Sequence, residues 1–90
     1  MNKARRKELE SAVKLCEEAK EKLDEAEEIV QACRDEEEEC YYNLPESLQE
    51  GEKGERMQEA IDELDEFLAD KDCVCSDIDS LIEHIGNATE

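Results

Sequence analysis

The chain is poor in aromatics, glycine and proline, and it has no tryptophan. Tyr41, Tyr42 and Phe67 are its only aromatic residues and Pro45 its only proline; Gly51, Gly54 and Gly86 are its glycines. Sheet proteins draw on aromatic residues and on glycine- and proline-rich turns, so the scarcity argues against a sheet and for helices. Histidine is also short: His84 stands alone. No HExxH pair exists, and the inward ExxH sets of di-iron bundles need more than one histidine. No apolar run approaches the roughly 20 residues of a membrane span. The N-terminus has basic residues without the apolar stretch of a signal peptide, so a cytoplasmic location is expected.

Positive charge is scarce in the same way, with 11 Lys and Arg against 29 Asp and Glu. Phosphate contacts need clustered Lys and Arg, which argues against direct nucleic-acid binding and against anionic membranes. The imbalance is uneven. Residues 1–22 carry seven basic and five acidic side chains, whereas residues 23–90 carry four and 24. The basic start, Lys3, Arg5, Arg6 and Lys7, sits apart from the acid.

What the chain does have is a sustained three-then-four spacing of small and apolar residues. It reads Leu9, Ala12, Cys16, Ala19, Leu23, Ala26, Val30, Cys33, Glu37 and Cys40, with Val13, Leu15 and Ile29 beside it. It resumes as Met57, Ile61, Leu64, Leu68, Lys71, Cys75, Ile78, Ile82 and Ile85. Disorder is the competing reading for an acidic chain, but a disordered chain has no need of such a period. The stripe is narrow, as in the seam of a coiled coil. It predicts an all-α fold in one domain, residues 1–90. Two helices, 3–42 and 54–86, form an antiparallel hairpin about a turn at 43–53. Asn2 suits the first N-cap. Pro45 stops the first helix, and Leu44 and Leu48 are free to fold over the tip. Ser47 with Glu50 matches a capping box, so a helix starting at Leu48 is an option. Asp70–Ser76 looks locally like a loop. The unbroken phase through Lys71 and Cys75 instead favours one helix ending at Gly86, with a kink near Cys73 left as an option.

A 90-residue hairpin has a thin core, and self-association is the expected remedy. Ile78, Leu81, Ile82 and Ile85, with Leu9 and Cys16 opposite, form its most apolar end and are the expected oligomer interface. A homodimer forming a four-helix bundle would cover them. Glu37 and Lys71 are charged seam residues that do not meet each other in this pairing. They set register or contact another subunit.

Cys73-Val-Cys75 is the one motif that tempts a metal reading. A single CxC has no second pair, and on a helix its thiols point about 200° apart. Cys75 reads as a small core residue and Cys73 as an exposed thiol. Cys33 and Cys40, two turns apart, are too distant for an intrachain bridge. Reduced thiols are expected, with an interchain link only if a dimer axis brings equivalents together. No catalytic residues, metal or cofactor are expected, and the chain does not read as an enzyme.

The stretch Asp35–Gln49, with Asn43-Leu-Pro-Glu-Ser-Leu-Gln49 at its centre, and its continuation Glu52–Asp65 resemble a group of small acidic helical proteins of Firmicutes, their phages and mobile elements. The resemblance covers roughly residues 30–66 and implies a bacterial or phage origin, without an activity. Members of that group continue in Ala-Ile-Asp heptads, from which this chain departs at Asp70–Ser76. The expected role is a protein-interaction module whose acidic face meets a basic partner. That face comprises Asp35, Glu36, Glu38, Glu39, Glu59, Asp62, Glu63, Asp65 and Glu66. In a phage setting such a rod would imitate DNA and inhibit a nucleic-acid-binding protein. The alternative is an assembly protein acting through homo-oligomerisation.

Overall fold

A computed structural model describes all residues, Met1–Glu90. Helix α1 spans Lys3–Tyr42, a single-turn α2 spans Glu46–Gln49, and α3 spans Glu52–Thr89. The two long helices pack along their length into a rod of 68 × 16 × 13 Å. Its radius of gyration is 20.2 Å, against about 12 Å for a compact domain of this length.

Each boundary has a local cause. The Asn2 side chain accepts a hydrogen bond from the Arg5 amide at 2.8 Å, closing the open end of α1. Pro45, at φ −55° and ψ 146°, takes the chain out of α1. Its carbonyl then accepts from the Leu48 and Gln49 amides at 2.9 and 3.1 Å. The short helix therefore has Pro45 as its N-cap and starts at Glu46, with Ser47 inside it and no capping box. Leu48 stays exposed instead of closing the tip, while Leu44 is half-buried. Gln49 does the closing: its side-chain amide donates to the carbonyls of Leu44 at 3.0 Å and Tyr42 at 3.4 Å. Gly54 lies buried under this turn. A Cβ there would stand 2.6 and 2.8 Å from the Gln49 carbonyl carbon and Cα. The residue is a glycine because the backbone of α2 rests on it.

Helix α3 begins at Glu52, two residues before the expected start, and is unbroken through Asp70–Ser76. The Ser80 hydroxyl donates to the Ser76 carbonyl at 3.3 Å, as inside a helix. The helix passes Gly86 and runs on to Thr89. No residue adopts a positive φ, so the left-handed turn that makes glycine a helix stop is absent.

The seam of α3 matches its period residue for residue. Met57, Leu64, Leu68, Cys75, Ile78, Ile82 and Ile85 are half-buried; Ile61 and Lys71 are buried. The seam of α1 departs from its period. Ala19, Cys33 and Cys40 are exposed, and their neighbours Lys20, Arg34 and Tyr41 are half-buried in their place. Leu9, Cys16, Leu23 and Val30 keep their positions. Long side chains cover more of the opposite helix than Ala or Cys and keep their polar ends in water, so α1 is turned toward them. Ile61 is the only apolar residue fully inside. The thin core has no stronger centre.

Candidate functional site

Three cations cross from helix to helix. Lys20 Nζ meets Asp79 Oδ1 at 2.5 Å, and Arg34 Nε meets Asp65 Oδ1 at 2.8 Å. These two pairs mark one long edge of the rod. Arg34 also holds Glu38 at 2.8 Å and Asp35 at 3.4 Å, so one guanidinium gathers three carboxylates. The hydrogen bonds it donates to Asp65 and then to Glu38 hold it well above the ordinary arginine value.

Lys71 is the third. Its side chain is only 8% exposed, and its ammonium lies 2.6 Å from Asp24 and 3.3 Å from Glu27. Seam position alone leaves Lys71 without a partner in the hairpin; the structure gives it two, both on the flank of α1. The four-carbon stem spans the seam and delivers the charge beyond it. The hydrogen bond to Asp24 is the main cause of a pKa raised above the ordinary 10.5, against the opposing cost of burial. Lys20 is raised too, first through its hydrogen bond to Asp79. Glu37, half-buried, takes no part in an ion pair.

The acidic residues singled out by sequence divide in two. Asp35, Glu38 and Asp65 are engaged by Arg34. Glu36, Glu39, Glu59, Asp62, Glu63 and Glu66 are exposed and have no cationic partner. Together they belong to a strongly acidic tip: residues 34–66 hold fourteen carboxylates and three basic side chains. No group of three or more His, Cys, Asp or Glu side chains is placed to hold a metal ion. The surface recesses are open grooves, one of them lined by Leu23, Phe67, Asp70, Lys71 and Val74.

No family model, curated protein or solved structure matches this chain.

The residues expected at an oligomer interface are distributed differently from one another. Leu9, Cys16, Ile78, Ile82 and Ile85 are half-buried on the seam between α1 and α3, whereas Leu81 is exposed. Apart from Met1, Tyr42 and Leu48 at the ends of the rod, the exposed large apolar residues lie on the edge opposite the ion pairs. Leu15 and Ile29 each precede Lys20 and Arg34 by five residues, which is about 140° around α1. Phe67 and Leu81 each follow Asp65 and Asp79 by two, about 160° around α3. Their exposures are 65% for Leu15, 66% for Ile29, 38% for Phe67, 44% for Val74 and 55% for Leu81. Exposed Ala19, Cys33 and Cys40 and half-buried Ala26 continue this edge along α1. The sequence carries a signal for it in the seven-residue steps Leu15–Lys22–Ile29 and Phe67–Val74–Leu81, which run beside the main stripe. No comparable signal marks Arg34 as the clasp of the acidic tip.

Proposed function

We propose that this chain is a non-enzymatic protein-interaction module whose acidic tip engages a basic, nucleic-acid-binding partner. The observation that carries the reading is the density of unneutralised charge. The net charge of −11 over residues 34–66 occupies the loop end of the rod, a length of about 24 Å at the helical rise. That is roughly one charge per 2 Å, close to the one per 1.7 Å of duplex DNA. The groove that accepts a phosphate backbone would meet a similar field here, and inhibition by imitation of DNA follows.

The test has two steps. Basic proteins captured from a bacterial lysate at low salt are identified and then competed with duplex DNA on the purified pair. Displacement by DNA, with affinity falling steeply as salt rises, supports the reading. Retention by a chain carrying Glu59→Gln, Asp62→Asn, Glu63→Gln and Glu66→Gln as well as by the native one would sink it. A second reading, an assembly protein acting through homo-oligomerisation, is favoured by the apolar edge.

A further inference from the structure

We infer that the apolar edge is covered by a second copy of this chain lying antiparallel to the first, with the acidic tip of each rod beside the termini of the other. Three observations carry it.

The first is area. One copy exposes 6804 Å², whereas a compact monomer of 10.3 kDa exposes about 5,400 Å². The excess is of the order a dimer face would remove. A face 68 Å long and 16 Å wide offers about 1,000 Å² per copy, and two such faces fall within the range of stable interfaces.

The second is the arrangement of the apolar residues. A two-fold interface needs a patch that matches itself when turned around. Leu15 and Ile29 lie seven residues either side of Lys22, and Phe67 and Leu81 seven either side of Val74. The pairs Lys20–Asp79 and Arg34–Asp65 set the register of the helices. In that register Lys22 is level with Asp77, within one helical turn of Val74. A two-fold axis across the edge at this height brings Leu15 toward the partner's Ile29 and Phe67 toward the partner's Leu81. It also lies near the middle of the rod, so the copies overlap along most of their length. Lys22 sits at the axis with its ammonium drawn to Glu25 at 3.5 Å, leaving its stem to pack.

The third is charge. Residues 34–66 carry a net −11 at one end, while residues 1–22 and 77–90 together carry seven basic and nine acidic side chains at the other. Parallel copies would stack two acidic tips. Antiparallel copies place each tip against the partner's basic start, Lys3 to Lys7, and keep the tips a rod length apart.

The partner of this edge is independent of the partner of the acidic tip, and the test keeps the two separate. Multi-angle light scattering on the native chain at tens of micromolar is expected to give twice 10.3 kDa. Ile29→Lys and Val74→Lys, both at exposed positions, are expected to halve that mass while circular dichroism stays helical. Leu48→Lys, exposed at the tip, should leave it unchanged. The order of the copies is read by electron–electron resonance on a nitroxide at Ser47→Cys, with the five native cysteines replaced by alanine. Antiparallel copies place the labels about 60–70 Å apart, parallel copies within about 25 Å. A native monomer, or a dimer indifferent to both lysines, overturns the assignment of the face. A short label distance overturns the antiparallel order.

Discussion

Three alanine substitutions at the glycines separate the work of one contact from helix propensity. Gly86 has nothing within 4 Å of a built Cβ and lies inside α3. Gly86→Ala should therefore stabilise by about 0.5–1 kcal/mol through the lost freedom of the unfolded chain. Gly51 is the N-cap of α3, and its nearest atoms stand at 3.5 and 3.6 Å, an ordinary contact. Gly51→Ala should change little. Gly54 is also helical and gains the same propensity, but its Cβ would stand 2.6 Å from the Gln49 carbonyl carbon. Both sides of the clash are backbone, so α2 has to lift by roughly 1 Å, an overpacking of about 1–3 kcal/mol. The lift also pulls Gln49 from the Leu44 and Tyr42 carbonyls, at about 1 kcal/mol for each bond lost. Against a propensity gain of about 1 kcal/mol, the net loss is about 3 kcal/mol. At 4–8 °C per kcal/mol, Gly54→Ala should melt about 15 °C lower and Gly86→Ala a few degrees higher. Thermal circular dichroism at one fixed protein concentration reads all three. A Gly54→Ala chain that melts above the native one would refute the close approach of α2 to α3.

Other perturbations have a definite sign. The folded state holds the Lys71 proton more tightly than the unfolded chain, so the contribution of its pairs is complete below pH 10.5. It is lost as pH rises through the higher folded value. The melting temperature of the native chain should therefore fall more steeply above pH 10.5 than that of Lys71→Met, with parallel slopes between pH 8 and 10. Like charges outnumber pairs in a chain of net charge −18. Raising sodium chloride from 20 to about 500 mM should accordingly raise the melting temperature by screening the repulsion. A fall would mean that the ion pairs of Lys20, Arg34 and Lys71 outweigh it. All five cysteines are free thiols, with Cys33, Cys40 and Cys73 exposed and Cys16 and Cys75 half-buried. Under limiting iodoacetamide, peptide mass spectrometry should find the first three alkylated well before the other two.

Helix α3 was legible because its period and its packing agree. Every third or fourth residue from Met57 to Ile85 is apolar or long-stemmed, and each one is at least half-buried. The lysine among them broke the apolar rule without breaking the phase, because its stem packs as an apolar chain would. Helix α1 offered two neighbouring stripes, and apolarity chose the one with Ala19, Cys33 and Cys40. The structure chose Lys20, Arg34 and Tyr41, whose length and opposing carboxylates count for more than a small apolar surface. That choice depends on what α3 presents, which no property of α1 alone contains. The tip was misread for a related reason. Gly54 counts as a poor helix former until α2 is known to lie on it, and Leu48 counts as core until Gln49 is seen to close the turn. The acidic tip follows from composition. The apolar edge leaves only a trace in seven-residue steps beside the main stripe, which the stronger seam at Ile78–Ile85 outweighs, and the cation that gathers three carboxylates leaves none.

The 68 Å length of the rod has an electrical consequence. At physiological ionic strength a charge is felt over about 8 Å, so the molecule is more than eight screening lengths from end to end. Its two ends are electrically separate objects joined by a rigid spacer. A protein meeting the tip responds to the local −11 and not to the overall charge, and changes among Lys3–Lys7 leave that encounter untouched in the isolated chain. Bulk measures such as isoelectric point or ion-exchange retention average over ends that stand a rod length apart in one copy.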